Sequence, residues 1–360
     1  MAKEPVPSSG VRSDLIDFWR GLACLLVVFF HGICGYSFSA VHPVMQFAWT
    51  HGKYGWVGRN MLFVLSGYCL AGLLEKRASH LSPIVFWRDR LLRIYLTYWA
   101  ALLLAFALAL AATPFNGIAP AAALPKTAIA WLGDLTLTHI WLGVRPWLIV
   151  SWSLSFEIGF YIILGLVLLA GKRSPLLRFG LCAAVTFLSH VPGMSEHIKL
   201  LILWPVFACG LAVQAALSNQ LPSWIRTSAL CYPPLLAIIS LAKNDHQTFA
   251  PALLSLAFML SLMGTRRLPA PPRFVVWLGR KSYSVFLVHV MVMSPALNLA
   301  KRHLDQDEFT FVLVWLAHIF LGIAAGLLFH RWVESPIETW RRRTFYPPQS
   351  EAPAATAVAR

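Results

Sequence analysis

Residues 14–33 read DLIDFWRGLACLLVVFFHGI. Twenty helical residues rise about 30 Å, the thickness of a bilayer's hydrocarbon core. From Leu15 onward the stretch is apolar except for Asp17, Arg20 and His31. The polar segment Met1–Asp14 precedes it, and the apolar run closes on His31 rather than on a small-residue cleavage site. The expectation is a retained first span rather than a removed signal peptide. Eleven steps of about 100° separate Arg20 from His31, three turns plus about 20°, so both share one helix face, about 16 Å apart along the axis. That spacing suits a long, anionic-headed ligand whose reactive end reaches the imidazole. The bland alternative is that Arg20 snorkels to the headgroups and His31 bonds a neighbouring carbonyl.

The rest of the chain has the same character. Of 360 residues, 58% are apolar and only 12% charged, with 15 Trp and 23 Phe. Soluble domains carry about 45–50% apolar and about 25% charged residues, so a water-soluble globule is excluded and a polytopic all-α membrane protein is predicted. The net charge of +15 would suggest nucleic acid in a soluble protein. Here it points to basic cytoplasmic loops and a polyanionic ligand or lipid surface, with no nucleic acid. The six cysteines, Cys24, Cys34, Cys69, Cys182, Cys209 and Cys231, lie in or beside apolar stretches without a C-x-x-C pair. Neither a disulfide framework nor a zinc site is indicated, and no metal is expected.

Ten spans are expected, near 15–35, 56–74, 93–112, 148–170, 178–192, 198–217, 229–242, 249–264, 283–300 and 309–331. The segment 127–144 is apolar but holds Asp134 and His139, and is read as interfacial or re-entrant. With Arg20 inside its span, placing both termini in the cytoplasm leaves 21 Lys and Arg inside against 8 outside, Arg59 among the latter. The positive-inside rule favours that arrangement.

Ionisable groups within the bilayer are costly and default to functional candidates. Glu157, in SWSLSFEIGFYIILGLVLL, is the sole carboxylate of its span, flanked by Ser151, Ser153, Ser155 and Tyr161. A lone buried carboxylate is protonated or paired. Its depth matches that of His31, so a Glu157–His31 couple orienting a general base is expected, a structural bond to serines or backbone being the alternative. Arg90 and Arg93, with Arg88, form a basic cluster in the loop after the second span. Guanidinium forks suit phosphate, although juxtamembrane arginines also serve as topology signals. Ser66 and Gly67 in LFVLSGY fit close helix packing. His289 is either pore-lining or a satisfied core histidine. Glu334 is expected to pair with a basic neighbour, whereas His190, His318 and His330 have no evident partner.

In this order and spacing the motifs resemble the acyltransferase-3 family of integral-membrane O-acyltransferases. They are D-F-W-R-G-(x)9-H (Asp17 to His31), LFVLSGY (62–68), R-L-L-R (Arg90 to Arg93), W-S-L-S-F-E-(x)2-F-Y (Trp152 to Tyr161), G-R-K-S-Y-S-V-F-L-V-H (Gly279 to His289) and V-E-S-P (Val333 to Pro336). The resemblance covers roughly residues 11–340. It implies a bacterial inner-membrane enzyme that takes an acyl group, by default acetyl, from cytoplasmic acyl-CoA to a hydroxyl of a glycan or glycolipid. It also implies an essential histidine at His31, a role for Glu157, and donor-binding arginines at Arg20, Arg90 and Arg93. No permanently bound cofactor is expected, acyl-CoA being a substrate. Some members carry a C-terminal SGNH hydrolase-like domain, and the residues after Glu334 are too few for one. One membrane domain over 1–340 and a short basic tail over 341–360 are therefore expected, with a separate periplasmic partner where the acceptor requires that domain.

Chemically, His31 would take the hydroxyl proton and Glu157 would fix its tautomer. Asp17 and His289 are possible supporting residues, and Ser155 or Tyr161 would stabilise the oxyanion. A covalent acyl-histidine is equally consistent with these residues. The competing class is a transporter or flippase of lipid-linked sugars, which often shows internal repeats and broken helices at corresponding positions. No repeat is evident here.

Overall fold

A computed structural model describes residues 9–34, 43–116, 124–264, 268–303 and 308–345. Every regular element among them is helical. In chain order these are α1 (Ser9–Cys34), α2 (Pro43–Gly52), α3 (Val57–Arg77), α4 (Pro83–Asn116), α5 (Ala128–Thr136), α6 (His139–Leu142), α7 (Trp152–Gly171) and α8 (Pro175–Ser189). They continue as α9 (Met194–His197), α10 (Trp204–Ala216), α11 (Ser223–Ala242), α12 (His246–Met263), α13 (Arg273–Gly279), α14 (Ser282–His303), α15 (Glu308–Phe329) and α16 (Ser335–Phe345). A π-helical turn, His330–Glu334, joins the last two.

By length and composition seven helices can cross a membrane, or eight if the bent pair α13 and α14, which meet at 80°, forms one span. The protein is a multi-pass membrane protein. The remaining two expected spans, 178–192 and 198–217, fall on the shorter apolar helices Pro175–Ser189 and Trp204–Ala216. α10 can be short and apolar because it is surrounded by protein: every one of its residues except Ala212 is buried.

Two boundaries differ from expectation for a physical reason. α4 starts at Pro83, ten residues before the apolar stretch. Arg90 and Arg93 are thus on a helix rather than in a loop, because their charges face an internal cavity that hydropathy does not register. The last described helical stretch runs from Val312 to Phe345, so residues 341–345 of the expected tail are helical, and 346–360 lie outside the described residues. Segment 127–144 forms no span. Leu137, at φ 54°, ends α5 in the left-handed region, and the Tyr95, Tyr98 and Trp99 side chains of α4 donate to the carbonyls of Thr136, Asp134 and Leu135.

The core joins α3 to α10 through backbone contact at Gly67 and Gly210. A Cβ on Gly67 would lie 2.3 Å from the Phe207 carbonyl oxygen, and one on Gly210 would lie 1.9 Å from that of Val64. The packing assigned to Gly67 from sequence is therefore direct. Gly67→Val should cost about 1–3 kcal/mol or more through overpacking, read as a lowered Tm of the purified protein. An unchanged Tm would mean that the two helices separate freely.

Candidate active site

α1 carries Asp17, Arg20 and His31, and α14 carries His289. Asp17 accepts from Arg280 Nε at 3.0 Å and lies 3.6 Å from Arg20 Nη1, fixing one end of α1 to the α13–α14 corner. Eleven residues on, His31 Nδ1 lies 3.0 Å from His289 Nε2 and 3.0 Å from the Val27 carbonyl oxygen. His289 Nδ1 lies 2.9 Å from the Val285 carbonyl oxygen. A carbonyl only accepts, so His289 carries its hydrogen on Nδ1 and presents the Nε2 lone pair to His31. His31 therefore donates from Nδ1, and its own lone pair is on Nε2. His289 is buried; His31 is half-buried and lines a cavity with Arg59, Trp152, Ser153 and Phe286.

Glu157 does not meet His31. Its Oε1 accepts from Tyr161 Oη at 2.6 Å and from Ser66 Oγ at 3.2 Å. Tyr161 follows Glu157 by one helical turn, and Ser66 reaches it from α3, so both hydrogen bonds to Oε1 come from these hydroxyls rather than from the imidazole. Glu157 lines a second cavity, of about 130 Å³, together with Arg20, Arg59, Arg90, Arg93 and Tyr283. Four guanidiniums against one carboxylate make this space strongly cationic. Arg93 is exposed, and the space it faces is this cavity; Arg90 Nε is buried without a hydrogen-bond partner among the described residues. α4 is set against α7 by Trp87, whose indole donates to the Tyr161 carbonyl at 3.0 Å. Arg88 is turned away, on Asp89 and over the Phe345 ring at 4.6 Å.

The two cavities share Arg59, Ser153 and Phe286. One continuous wall of residues thus runs from the arginines to the imidazole, with Arg20 and His31 at opposite ends of the shared helix face. Arg59, expected among the outside loop charges, instead lines both cavities. Its signal is the helical stripe Arg59, Leu62, Ser66 and Cys69, all of which line the arginine-rich cavity, at spacings of three or four.

The sequence profile of the family described as "Acyltransferase domain" matches residues 14–331. The chain belongs to the acyltransferase-3 family. It is similar to the "Acyltransferase MdmB" of Streptomyces mycarofaciens, 26% identical over 382 residues covering 92% of this chain and 93% of that protein. It is also similar to the "Exopolysaccharide production protein ExoZ" of Rhizobium meliloti (strain 1021), 26% identical over 303 residues covering 78% of this chain and 90% of that one. No solved structure is similar enough to count as a match.

In this acyltransferase the R-L-L-R and W-S-L-S-F-E motifs are brought to the cationic cavity, and the two histidine-bearing motifs meet each other. Ser155 takes a different part. It is fully buried, with its Oγ 3.3 Å from His139 Nδ1, while His139 Nε2 lies 2.8 Å from Asp134 Oδ1. Asp134 also accepts from the Trp147 backbone at 3.0 Å. Serine, histidine and aspartate stand in the order of a nucleophile triad, but Ser155 lines neither cavity. The trio braces α5 and α6 against α7. The three histidines without an evident partner in the sequence have one here: His330 Nδ1 meets Glu334 at 2.8 Å, His318 Nε2 meets the Gly32 carbonyl at 3.2 Å, and His190 Nε2 meets Tyr232 Oη at 3.3 Å. Glu334 also accepts from Ser284.

Proposed function

We propose that the protein moves an acyl group, acetyl in the simplest case, from cytoplasmic acyl-CoA to a hydroxyl of an exported glycan. The observation that carries this reading is the pair of abutting cavities, one holding Arg20, Arg59, Arg90 and Arg93 and the other His31. CoA is a polyphosphate with a long, narrow arm, and arginine forks suit its phosphates. The naming of one relative for exopolysaccharide production supports a glycan acceptor, and the excess of basic residues in the segments assigned to the inside supports both termini in the cytoplasm of a bacterial inner membrane.

In this account Arg90 and Arg93 bind the phosphates, and Arg20, held by Asp17, lies along the donor path. The acyl carbonyl reaches the junction of the cavities. The acceptor hydroxyl gives its proton to His31 Nε2 as it attacks. The imidazolium so formed keeps its Nδ1–H on the His289 lone pair, so His289 holds the tautomer that was expected to depend on Glu157. Glu157 instead holds Tyr161 and Ser66 in the cavity wall and offsets part of the arginine charge.

The test is release of CoA thiol by the purified full-length protein in lipid discs, given acetyl-CoA with and without a polysaccharide acceptor. Acceptor-dependent thiol release, with acylated glycan by mass spectrometry, is expected. Glycan movement without thiol release would establish a transporter instead, and a stoichiometric burst of CoA without acceptor that is lost in His31→Ala would make His31 the nucleophile. Arg90→Ala should raise the KM for acetyl-CoA about ten- to a hundred-fold, the loss of about 1.5–3 kcal/mol of charge-assisted bonding, while kcat changes little. A loss confined to kcat would remove Arg90 from phosphate binding.

A further inference from the structure

Transfer from a thioester to a hydroxyl pushes negative charge onto the carbonyl oxygen, and a preorganised donor at that point is usually the largest single contribution to such catalysis. The donors suggested by sequence are engaged elsewhere. Tyr161 Oη donates to Glu157, and Ser155 is enclosed beside His139. Resting on the acyl-transfer reading above, we infer that Arg59 is the oxyanion donor.

Among the described residues Arg59 is the only cation shared by the walls of the two cavities, and His31 lines one of them. Its orientation is fixed at two points, one of them braced in turn. Nε donates to Asn60 Oδ1 at 2.9 Å, fully buried Asn60 donates in turn to the Gln247 carbonyl at 3.3 Å, and the guanidinium lies 4.4 Å above the Trp152 ring. The terminal nitrogens make no hydrogen bond or ion pair among the described residues, and the side chain is only half-buried because it faces the cavities. Arg20 differs in having Asp17 as a partner. A guanidinium held by its Nε edge and one face, with its far edge open, is a donor pair that needs no reorganisation when charge appears. A flexible surface arginine would have to be ordered first.

The step balances as follows. The acceptor oxygen bonds to the carbonyl carbon, its proton passes to His31 Nε2, and the carbonyl π pair moves to the oxygen facing Arg59. Collapse of the tetrahedral centre re-forms the carbonyl and breaks the carbon–sulfur bond. The departing thiolate takes the proton back from His31.

The test uses Arg59→Met, Arg59→Lys and Arg59→Ala in full-length protein in lipid discs, each checked for an unchanged Tm. Arg59→Met should lower kcat about 10²–10³-fold, the loss typical of a deleted oxyanion donor, with the acetyl-CoA KM held within about threefold. Arg59→Lys should lose less. Added guanidinium ion should restore part of the Arg59→Ala rate and none of the Arg90→Ala rate. A trifluoromethyl ketone analogue of acetyl-CoA, which hydrates to a tetrahedral centre, should bind Arg59→Met more weakly by the factor lost from kcat. Binding of the non-reactive thioether analogue should not change. A raised KM with intact kcat, or equal weakening of both analogues, would overturn the assignment and make Arg59 a ground-state anchor for an anionic acyl or sugar group. Wild-type protein that releases no CoA would instead remove the acyl-transfer reading, a failure visible before any variant is made.

Discussion

His31→Ala is expected to abolish acyl transfer while the protein still folds and still binds acyl-CoA. General-base catalysis contributes roughly 10²–10⁴-fold, and no other described imidazole lines the cavity that holds Arg59 and Ser153. His289 cannot take over: its Nδ1 is committed to the Val285 carbonyl, and its ring is buried behind His31. The structural cost should be small, because His31's own bonds are to a carbonyl of its own helix and to the His289 lone pair. Steady-state rates and acyl-CoA affinity measured on the same preparation check this. A rate within tenfold of wild type would take His31 out of the chemistry, and loss of CoA affinity along with the rate would make it a structural residue.

His289→Ala should come second in effect. The variant keeps the base but removes the acceptor that holds its proton on Nδ1, leaving only the Val27 carbonyl for that hydrogen. Orienting partners of catalytic histidines have been worth up to about 10⁴-fold. Val27 retains part of that function, so a loss of about 10²-fold in kcat is expected, with the acyl-CoA KM unchanged. His289→Gln offers an amide oxygen to the same Nδ1–H and should recover part of the loss. If both variants lose activity equally and unfold at the same lower temperature, His289 serves packing: it lies against Gly322, where a Cβ would come within 3.3 Å of its own Cβ.

The membrane architecture was legible because hydropathy and helix length are local properties. α1, α3, α7, α12 and α15 fall close to the stretches expected for them. The shared face of Arg20 and His31 was legible for the same reason, since both are on one helix. The start of α4 was not: three arginines look like a loop until it is known that Arg90 and Arg93 line a cavity. The pairing of His31 with His289 joins residues 258 positions apart, and no periodicity connects two helices. Glu157 was assigned the wrong partner because equal depth in the bilayer fixes height but not azimuth. Its true partner, Tyr161, was within reach of sequence as the residue one turn along the same helix. Arg59 was hidden by the charge count itself, which placed it outside the membrane, although its spacing to Ser66 puts both on one face.

The most direct test of the account is a cryo-EM structure of the full-length protein in lipid discs with a thioether analogue of acyl-CoA. The account predicts the phosphates on Arg90 and Arg93 and the arm running past Arg20. It places the acyl carbon where the two cavities meet, with room for an acceptor oxygen about 3–3.5 Å from that carbon and within hydrogen-bond reach of His31 Nε2. A CoA bound elsewhere, for instance in the separate hollow beside Glu75 and Arg178, or an acyl carbon on the far side of His289, would contradict it.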